Sequence, residues 1–460
     1  MNNRERIVIV GYAAAGMTAA GYAKTYSRLA EVTVFEKRSY AIYHPCSIHD
    51  VLMRVLPGWE LIIEEPPKMP GFNVYTSTEV EDIDPNAKMV YAKNLKTGKK
   101  VKTEYDKLIL ATGSIPFIPS SIKIEDKDKI YTIKTVEDGR RLEEEAEKAK
   151  SVVVIGGSFI GIEMGYALAK RGLQVTILEY FQDLMYEKLE KRISKLLLKK
   201  LQEKGINVVL GEGANAIFSR GGKKVVSTAT KEFKADFVVV ATGSRPNIEL
   251  AKKMGVEIGS LGGIKVDNRM QTSVPDVYAA GDNVESLELI SRKPVLSLLA
   301  STAVRQGRVA GINVVGGNDF FPGTVNAWIV NLHDFQFGAT GITKEYAEKI
   351  GYKPVSVGLS TYVKPSMYSE NQIVNMQIVL DSETHRVLGF HILGERDVAL
   401  WLDVMTQVII DRKTVEDVAR IELVYTPSVR ECIDPLHKLA DSALRRLRRY
   451  LTTNSFHLYL

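Results

Sequence analysis

Short runs of branched apolar residues, each followed by a turn of small residues, dominate the hydrophobic pattern of the N-terminal part of the chain. Residues 7–10 and 152–155 are such runs, and the stretches that follow, residues 11–16 and 156–161, both begin and end in glycine. A short branched apolar run is typical of a buried parallel strand. Each place is therefore predicted to be a strand, a tight turn and a helix.

The same pattern occurs twice along the chain, together with the segments that follow it. Three pairs of similar segments occur in the same order: residues 7–16 with 152–161, 31–36 with 174–179, and 109–116 with 239–246. Self-similarity of this kind indicates two copies of one supersecondary unit. We therefore predict an α/β protein with two Rossmann-like dinucleotide-binding domains.

The residue types of each turn fit a nucleotide phosphate. Gly11 and Gly156 allow the tight turn, and Gly16 and Gly161 let the helix pack close to its strand. Between them, Ala13 and Ser158 keep a small side chain where the phosphate approaches. The free N–H groups of the following helix are then available to a pyrophosphate.

An acidic residue ends the second strand of each copy, Glu36 in the first and Glu179 in the second. A carboxylate at this place binds a ribose 2′-hydroxyl and repels a 2′-phosphate. Both sites are therefore expected to take unphosphorylated adenosine riboses. The expected cofactors are FAD in one site and NADH, in preference to NADPH, in the other.

The rest of the chain predicts further elements. Residues 74–107 alternate as a small β-meander, and residues 296–314 have a helical pattern. Strand-like runs at 375–380 and 387–393 precede an amphipathic helix at 398–410, which indicates a separate C-terminal α+β domain. The expected division is an FAD domain (1–118 with 247–324), an NAD domain (119–246) and a C-terminal dimerisation domain (325–460).

Composition narrows the class of protein. The chain has 460 residues, 45% of them hydrophobic and 25% charged, which is the balance of a soluble globular protein of several domains. Its two cysteines exclude a disulfide framework or a zinc cluster and favour a reducing compartment. The formal charge of +6 is compatible with ordinary surface charge or with attraction of an anionic ligand such as a nucleotide or coenzyme A. No nucleic-acid-binding motif accompanies it.

The N-terminus has an alternative interpretation as a secretory signal peptide, because residues 1–6 are basic and residues 7–23 are apolar. The repeated glycine spacing favours the strand, turn and helix instead. No apolar run is long enough to span a bilayer. We therefore expect a cytoplasmic protein without an integral membrane segment.

Taken in order, these motifs resemble a known family. The order is a glycine turn with Glu36, a lone cysteine, Ala-Thr-Gly113, a second glycine turn with Glu179, Ala-Thr-Gly243 and Ala-Gly-Asp282. The chain resembles the flavoproteins of the pyridine nucleotide–disulfide oxidoreductase superfamily. It is most similar to their single-cysteine branch of coenzyme A-disulfide reductases, NADH oxidases and peroxidases, and persulfide or sulfur reductases.

The resemblance implies two sets of cofactor-binding residues. The FAD set comprises Gly11, Ala13, Ala14, Gly16, Glu36, Lys37, Val80, Ala111, Thr112, Gly113, Gly281, Asp282, Ala300 and Ala303. The NADH set comprises Gly156, Phe159, Ile160, Gly161, Glu163, Glu179 and Gly243, with Glu163 near the nicotinamide and Phe159 where many relatives have a gating tyrosine. No metal site is expected.

Cys46 is the candidate redox residue. Apolar residues at positions 48, 51, 52, 55 and 56 follow a helical period, so Pro45 and Cys46 are predicted at a helix start. Unpaired N–H groups there would stabilise a thiolate, and His44 and His49 would add local charge. The alternative is a buried, inert thiol. Ser47 stands where the branch commonly has glycine.

A second constellation lies in the C-terminal domain. The segment from Tyr425 to Asp434 resembles a tyrosine–proline motif of coenzyme A-disulfide reductases, in which a tyrosine reaches the partner's cysteine. The resemblance implies a homodimer with shared active sites and a catalytic role for Tyr425 and for Tyr368 or Tyr362. Interface packing is the alternative for these tyrosines, and the role of Cys432 stays open.

Three functions compete. The leading one is an FAD-dependent NADH oxidoreductase that reduces coenzyme A disulfide, or a related disulfide, persulfide or polysulfide, through Cys46. The close alternative is an NADH oxidase that reduces O₂ through a Cys46 sulfenic acid. A third is a flavin-bound redox sensor or scaffold, for which the basic tail at residues 436–450 is the argument. The partners expected are NADH, a small acceptor and a second copy of the chain.

Overall fold

The computed structural model describes residues 5–456 and the side chains of residues 5–448. Residues 1–4 and 457–460 lie outside it, as do the side chains of residues 449–456, among them Arg449 of the predicted basic tail. The first part of the described chain alternates short strands with two helices. These elements are β1 (Arg6–Val10), α1 (Ala14–Tyr26), β2 (Glu31–Phe35), β3 (Ile42–Tyr43), α2 (Ile48–Leu52), β4 (Ile63–Glu64), β5 (Phe72–Tyr75), β6 (Thr78–Asp84), β7 (Met89–Asn94), β8 (Lys100–Glu104) and β9 (Lys107–Leu110).

The middle part repeats the strand–helix alternation of the first. Its elements are β10 (Ser114–Pro116), β11 (Lys123–Ile124), β12 (Ile130–Tyr131), α3 (Val136–Ala146), β13 (Ser151–Ile155), α4 (Phe159–Lys170), β14 (Gln174–Glu179), α5 (Lys191–Glu203), β15 (Asn207–Leu210), β16 (Ala216–Arg220), β17 (Lys223–Ser227), β18 (Glu232–Ala235), β19 (Phe237–Val240) and β20 (Ser244–Pro246). Strands β10 and β20 pair antiparallel and link the two parts.

The last part returns to the first and then forms a domain of its own. Its elements are α6 (Glu249–Lys253), β21 (Val277–Ala279), β22 (Ser286–Leu287), β23 (Pro294–Val295), α7 (Ala300–Asn313), β24 (Trp328–Asn331), β25 (Gln336–Gly341), α8 (Lys344–Lys349), β26 (Pro354–Tyr362), β27 (Ile373–Asp381), β28 (Val387–Gly394), α9 (Val398–Ile410), α10 (Val415–Val418) and α11 (Pro435–Phe456).

Two parallel sheets of matching order confirm the predicted repeat. One has the order β21-β9-β1-β2-β5 and the other β12-β19-β13-β14-β15. In each, the strand before the glycine turn lies at the centre. Beside it lies the strand that leads into Glu36 in the first sheet and ends at Glu179 in the second. Because the carboxyl ends of parallel strands meet at one edge, both glycine turns and both glutamates lie where an α/β sheet binds ligands.

The N-terminal segment is part of the first sheet. Strand β1 pairs with β2 on one side and with β9 on the other, and its residues are almost entirely buried. The strand, turn and helix predicted there are confirmed in preference to a signal peptide. Within residues 5–456, no helix combines the length and the apolar character that a membrane crossing needs.

Two predicted elements begin later than expected. The segment Phe72–Tyr75 is β5 and joins the parallel sheet, so the antiparallel meander is only β6-β7-β8 and begins at Thr78. The helix predicted from residue 296 begins at Ala300. Leu298 has a φ of 52° and Leu299 is extended, and these backbone conformations are not helical.

The C-terminal part has the predicted α+β architecture. Its antiparallel sheet has the order β24-β25-β28-β27-β26, with α9 packed against β25 and β28 and α11 against β26 and β27. The two predicted strands and the helix at 398–410 are confirmed as β27, β28 and α9. The core of this part is built from apolar side chains on both layers, among them Phe390, Trp401 and Leu439.

Candidate functional site

The first glycine turn leaves no room for larger residues. Gly11 has a φ of +96°, and a Cβ atom there would meet the carbonyl oxygen of Ala111 at 2.3 Å. A Cβ atom on Gly16 would meet the carbonyl oxygen of Gly11 at 2.0 Å. Ala13 precedes α1, and no side chain caps that helix. The N–H groups of α1 are therefore free for a phosphate, as FAD binding requires.

Glu36 is held rigidly at the end of β2. Its Oε2 accepts a hydrogen bond from the Tyr12 N–H at 2.8 Å, and its Oε1 accepts one from the Arg38 N–H at 2.9 Å. The Arg38 Nε also donates to Oε1 at 2.8 Å, and the guanidinium lies 4.1 Å from the centre of the Tyr43 ring. Sequence reasoning missed Arg38, which balances the buried charge of Glu36.

A polar network lies at the carboxyl edge of the first sheet. The Ser114 hydroxyl donates to Asp282 Oδ2 at 2.8 Å, and Lys134 Nζ lies 2.9 Å from Ser114 Oγ and 3.5 Å from Asp282 Oδ2. The adjoining Asn283 donates to the Leu110 carbonyl at 2.9 Å, and its buried Oδ1 has no partner within the described chain. A hydroxyl group on the polar chain of a bound cofactor could donate a hydrogen bond to this unpaired oxygen of Asn283, next to the carboxylate of Asp282.

The remaining predicted FAD residues lie on several elements of the first nucleotide unit, and Lys37 is already engaged in an ion pair. Lys37 makes an exposed ion pair with Glu79, at 2.7 Å between Nζ and Oε1. The others lie at the start of α1, within β6, after β9, before Asp282 and in the first turn of α7: Ala14, Val80, Ala111, Thr112, Gly113, Gly281, Ala300 and Ala303. No side chain caps α7, so its first N–H groups are free of a capping side chain.

The second glycine turn repeats the first with one electrostatic difference. A Cβ atom on Gly161 would meet the carbonyl oxygen of Gly156 at 1.9 Å. Glu179 accepts hydrogen bonds from the Gly157 N–H at 2.6 Å and the Phe181 N–H at 2.8 Å. Burial raises the pKa of Glu179, and its effect outweighs that of these hydrogen bonds, which lower the pKa. No arginine pairs with it as Arg38 pairs with Glu36 in the described part of the chain.

Phe159 and Ile160 begin α4, where the nicotinamide end of a bound nucleotide is expected. The Phe159 ring meets the Trp328 ring edge to face, with 4.9 Å between their centres. Lys188 Nζ lies 5.9 Å from the centre of the same ring, and burial lowers the pKa of Lys188. Gly243, after β19, has a φ of +116°.

Cys46 lies in the 3-10 turn Pro45–Ser47, immediately before α2. The residue is open to solvent, yet enough protein surrounds its thiol for burial to raise the pKa of Cys46, and the charge of Glu163 raises it further. Lys134 opposes both effects. The predicted stabilisation of a thiolate by a helix N-terminus is therefore wrong for this chain. The helix, α2, has only 5 residues, and the neighbouring carboxylates oppose the charged form.

Glu163 completes the surroundings of the thiol. It lies in α4 of the second nucleotide unit, and burial, with the charge of Asp50, raises the pKa of Glu163 to about 8. The groups whose charges act on Cys46 thus come from both nucleotide units: Glu163 from the second and Asp282 from the first. The structure brings the predicted redox cysteine to the junction of the two predicted cofactor sites.

The two histidines near Cys46 differ in exposure. His44 is exposed, with its Nε2 2.6 Å from Glu64 Oε1. His49 is buried, its Nε2 lies 3.3 Å from the Asn331 carbonyl, and its Nδ1 has no partner within residues 5–456. The position of His49 three residues after Cys46 was visible in the sequence, whereas its contact with the C-terminal domain was not.

The predicted tyrosines lie on the C-terminal domain. Tyr425 precedes α11 and is 53% exposed, beside Val424, which is 82% exposed. Ile433 is 58% exposed, and Cys432 next to it is exposed as well. The alternative tyrosines, 362 and 368, lie in β26 and in the loop after it. A run of apolar side chains this open to solvent is typical of a surface that another chain covers.

Comparison with known proteins agrees with this geometry. Residues 5–307 match the family described as pyridine nucleotide-disulphide oxidoreductase, and residues 329–436 match its dimerisation domain. The first match covers both nucleotide units, so the family implies FAD and NAD(P)H as cofactors. The second match supports a homodimer.

Similar proteins cover nearly the whole chain. An NADH oxidase of Methanocaldococcus jannaschii is 33% identical over 96% of this chain and 99% of its own. A coenzyme A-dependent NAD(P)H sulfur oxidoreductase of Pyrococcus furiosus is 33% identical over 95% of this chain and 98% of its own. The solved structure of an NAD-dependent persulfide reductase from A. fulgidus matches with a TM-score of 0.92 and 30% identity, over 97% of this chain and 84% of that one. The chain is an oxidoreductase and belongs to the pyridine nucleotide-disulphide oxidoreductase family.

Proposed function

We propose that this protein takes electrons from NADH, through FAD and Cys46, to a small disulfide, persulfide or polysulfide, with coenzyme A disulfide as the leading candidate. The observation that carries the proposal is the position of Cys46. Its thiol is open to solvent and lies within the electrostatic reach of Asp282 from one nucleotide unit and Glu163 from the other. A substrate sulfur can approach from solvent, and electrons can arrive from within the protein.

The chain's own residues fit both cofactors. Gly11, Gly16 and the uncapped N-terminus of α1 would hold the FAD pyrophosphate, with Glu36 for the ribose and Asp282 for the linking chain. The matching residues of the second unit would hold NADH, with Glu163 and Phe159 near the nicotinamide. When bound, FAD supplies the two-electron transfer between the hydride of NADH and sulfur.

Sulfur exchange at Cys46 then follows from ordinary thiol chemistry. The Cys46 thiolate attacks the substrate disulfide, forms a mixed disulfide with one half and releases the other half as a thiolate. Two electrons then break the mixed disulfide, which returns the Cys46 thiolate and releases the second half. Overall, a disulfide, NADH and one proton yield two thiols and NAD⁺. A second sulfur from outside the local motif is needed, because no other cysteine neighbours Cys46 in the sequence.

Tyr425 is proposed to act across the dimer. It lies on the domain that matches the dimerisation family, among exposed apolar side chains that a partner would cover. In a two-fold dimer, the Tyr425 hydroxyl of one chain would donate a hydrogen bond to the sulfur at the other chain's Cys46. This arrangement requires a homodimer in which each active site uses residues of both chains. Tyr368 or Tyr362 would supply a second phenol hydroxyl to the site.

An NADH oxidase is the second candidate. The relative from Methanocaldococcus jannaschii carries that name and is 33% identical. O₂ would then take the electrons, and Cys46 would cycle through a sulfenic acid, which an exposed single thiol can form. A redox sensor would differ from both candidates because it would be reduced once and would not turn over.

Steady-state NADH consumption separates these candidates. Rates are measured with and without O₂ in the presence of coenzyme A disulfide, other small disulfides and polysulfide. We expect disulfide- or polysulfide-dependent turnover without O₂, and its loss in Cys46→Ser while reduction of the flavin by NADH persists. Cys432→Ser is the matched control and should turn over normally. NADH consumption that depends on O₂ alone, or disulfide turnover unchanged in Cys46→Ser, would refute the proposal.

A further inference from the structure

The loop between β14 and α5 packs onto the second glycine turn. In the part of this loop from residue 184 to residue 190 (the 184–190 segment), the Met185 N–H donates a hydrogen bond to the Gly157 carbonyl at 3.0 Å. The Leu184 side chain fills the space beside Gly157, where a Cβ atom would meet Leu184 Cδ2 at 2.6 Å. The Ser194 hydroxyl of α5 donates to the Leu184 carbonyl at 2.9 Å. The start of the segment is therefore fixed against the turn that is expected to hold the NADH pyrophosphate.

The other end of the 184–190 segment is fixed to the C-terminal domain. Glu190 is buried, and its Oε1 accepts a hydrogen bond from the Lys344 N–H at 2.6 Å. Its Oε2 accepts hydrogen bonds from Gln377 Nε2 at 2.6 Å and from the Ser356 hydroxyl at 3.1 Å. Because a buried carboxylate is stable only with its hydrogen-bond donors in place, these three contacts hold Glu190 where it is. The segment is thus fixed at both ends, by groups from two domains.

Two residues of the segment have backbone conformations that residues other than glycine rarely adopt. Met185 has a φ of 54° and Glu187 has a φ of 58°, both in the left-handed region. Such conformations cost free energy and persist only where the surrounding structure fixes them, often at functional sites. The path of the backbone on both sides of Glu187 is therefore defined, and it determines where the next residue, Lys188, leaves the segment.

Lys188 extends from the segment over the first residue of α4. Its Nζ lies 5.9 Å from the centre of the Phe159 ring. Phe159 begins α4, and the N-cap residue Ser158 makes no capping hydrogen bond with its side chain, so the first N–H groups of this helix are free of a cap. The Lys188 side chain is open to solvent, yet enough protein surrounds it for burial to lower the pKa of Lys188. Lys188 thus lines the recess at the N-terminus of α4.

Lys188 has no carboxylate partner within the part of the chain that the structure describes, whereas the charged residues next to it are paired. Glu187 Oε1 lies 2.5 Å from Lys349 Nζ, and Lys191 forms an ion pair with Glu345. The ring of Phe159 stabilises a nearby cation but does not neutralise it. A cation that is partly removed from water and lacks an anion is stabilised when an anionic ligand binds beside it. The recess is therefore suited to an anion.

We propose that Lys188 is a phosphate-binding residue of the NADH site, where its ammonium contacts the pyrophosphate that joins the two riboses. The inference rests on the NADH part of the proposed function. The uncapped N–H groups of α4 and the Lys188 ammonium border the same recess, and both attract the negative charges of a pyrophosphate. The adenosine ribose is assigned to Glu179, and Lys188 is not among the groups that act on the pKa of that carboxylate. This separation favours the pyrophosphate over a ribose 2′-phosphate as the ligand of Lys188.

Binding of ADP-ribose tests this role without turnover, because ADP-ribose carries the pyrophosphate and lacks the nicotinamide. Its affinity for the FAD-loaded enzyme is measured by titration calorimetry. Lys188→Gln should weaken binding about ten- to a hundredfold by the loss of one charge-assisted contact, and Lys188→Arg should keep most of the affinity. Lys191→Gln is the matched control. It removes the same charge three residues further along, from a side chain that is paired with Glu345, and should bind ADP-ribose as the wild type does.

Stopped-flow reduction of the flavin separates the pyrophosphate from the nicotinamide. In Lys188→Gln, the NADH concentration that gives half the limiting rate should rise about ten- to a hundredfold, and the limiting rate itself should not change. NADPH carries the same pyrophosphate, so its half-saturating concentration should rise by the same factor. The donor 1-benzyl-1,4-dihydronicotinamide has no phosphate and should reduce the flavin of Lys188→Gln and of the wild type at equal rates.

The outcomes distinguish this inference from the proposed function. An ADP-ribose affinity that is unchanged in Lys188→Gln, or lowered equally in Lys191→Gln, overturns the inference. A loss of affinity for NADPH without one for NADH assigns Lys188 to the 2′-phosphate and overturns it as well. So does a raised KM for coenzyme A disulfide with unchanged NADH affinity, which assigns Lys188 to the phosphates of that substrate. A wild-type enzyme that reduces no disulfide, persulfide or polysulfide refutes the proposed function, while the ADP-ribose measurement still decides the role of Lys188.

Discussion

Glu163→Gln should make the protein more stable, and increasingly so as the pH rises. Burial, with the charge of Asp50, raises the pKa of Glu163 from 4.5 to about 8. An unfolded chain would ionise this carboxyl near its ordinary value, so between these two pH values the unfolded state binds fewer protons than the folded state. Folding stability must therefore fall as the pH rises through this window and level off above it.

The size of the effect follows from the shift. At about 1.4 kcal/mol per pKa unit, the ionised side chain costs about 5 kcal/mol of folding free energy above pH 8. Little of this cost is present at pH 5. The difference in unfolding free energy between Glu163→Gln and wild type should therefore grow by about 4 kcal/mol between pH 5 and pH 9. Glutamine keeps the shape of the side chain and cannot ionise.

Urea unfolding at a series of pH values measures this difference, followed by a probe of the domain that contains α4. The matched control is Glu65→Gln, because Glu65 is exposed and removal of its carboxylate should change the unfolding free energy little. If the stability difference between Glu163→Gln and wild type does not change with pH, then Glu163 is ionised in the folded protein. The interpretation of the site as one that keeps Glu163 protonated at neutral pH would then be wrong.

Two further predictions concern the nucleotide and the dimer. Glu179→Ala should narrow the preference for NADH over NADPH, because the carboxylate that repels a 2′-phosphate is removed; a ratio of kcat/KM values that does not change would contradict this role. Tyr425→Phe should slow disulfide reduction about ten- to a hundredfold by the loss of one bond to a charged sulfur. Dimers that combine a Cys46→Ser chain with a Tyr425→Phe chain should contain one site with both residues intact. Their activity should therefore exceed that of either variant alone, and a failure to do so would exclude a shared site.

Much of the fold could be predicted from the sequence, since its signals are local. An apolar run followed by a glycine turn is enough to predict a strand and the helix after it. The second copy of this pattern made the prediction for the first copy more secure. Helix α9 has the bounds that its periodicity predicted. Strand β5 was misassigned because its residues alternate like those of the meander that follows, and only its parallel pairing with β2 separates them. The predicted domain boundaries stay predictions.

The site was less predictable because its contacts join distant parts of the chain. Asp50 and His333 meet although 283 positions separate them along the chain, and no sequence pattern relates them. Arg38 lies two residues after Glu36, so its ion pair with the glutamate could have been suspected from the sequence. The pKa of Cys46 depends on Glu163 and Asp282, which lie far along the chain. A motif identifies the nucleophile, whereas the folded structure determines the charge around it.

The charge around Cys46 favours one form of the sulfur over another. A free thiolate there faces the carboxylates of Asp282 and Asp50, which raise the pKa of Cys46, and Glu163 raises it further at pH values where Glu163 is ionised. A mixed disulfide at the same position carries no charge, so the same carboxylates do not oppose it. A protonated thiol is uncharged as well, so both neutral forms of the sulfur are favoured over the thiolate. The thiolate that attacks the substrate disulfide is therefore expected to be the minor form of Cys46 between turnovers.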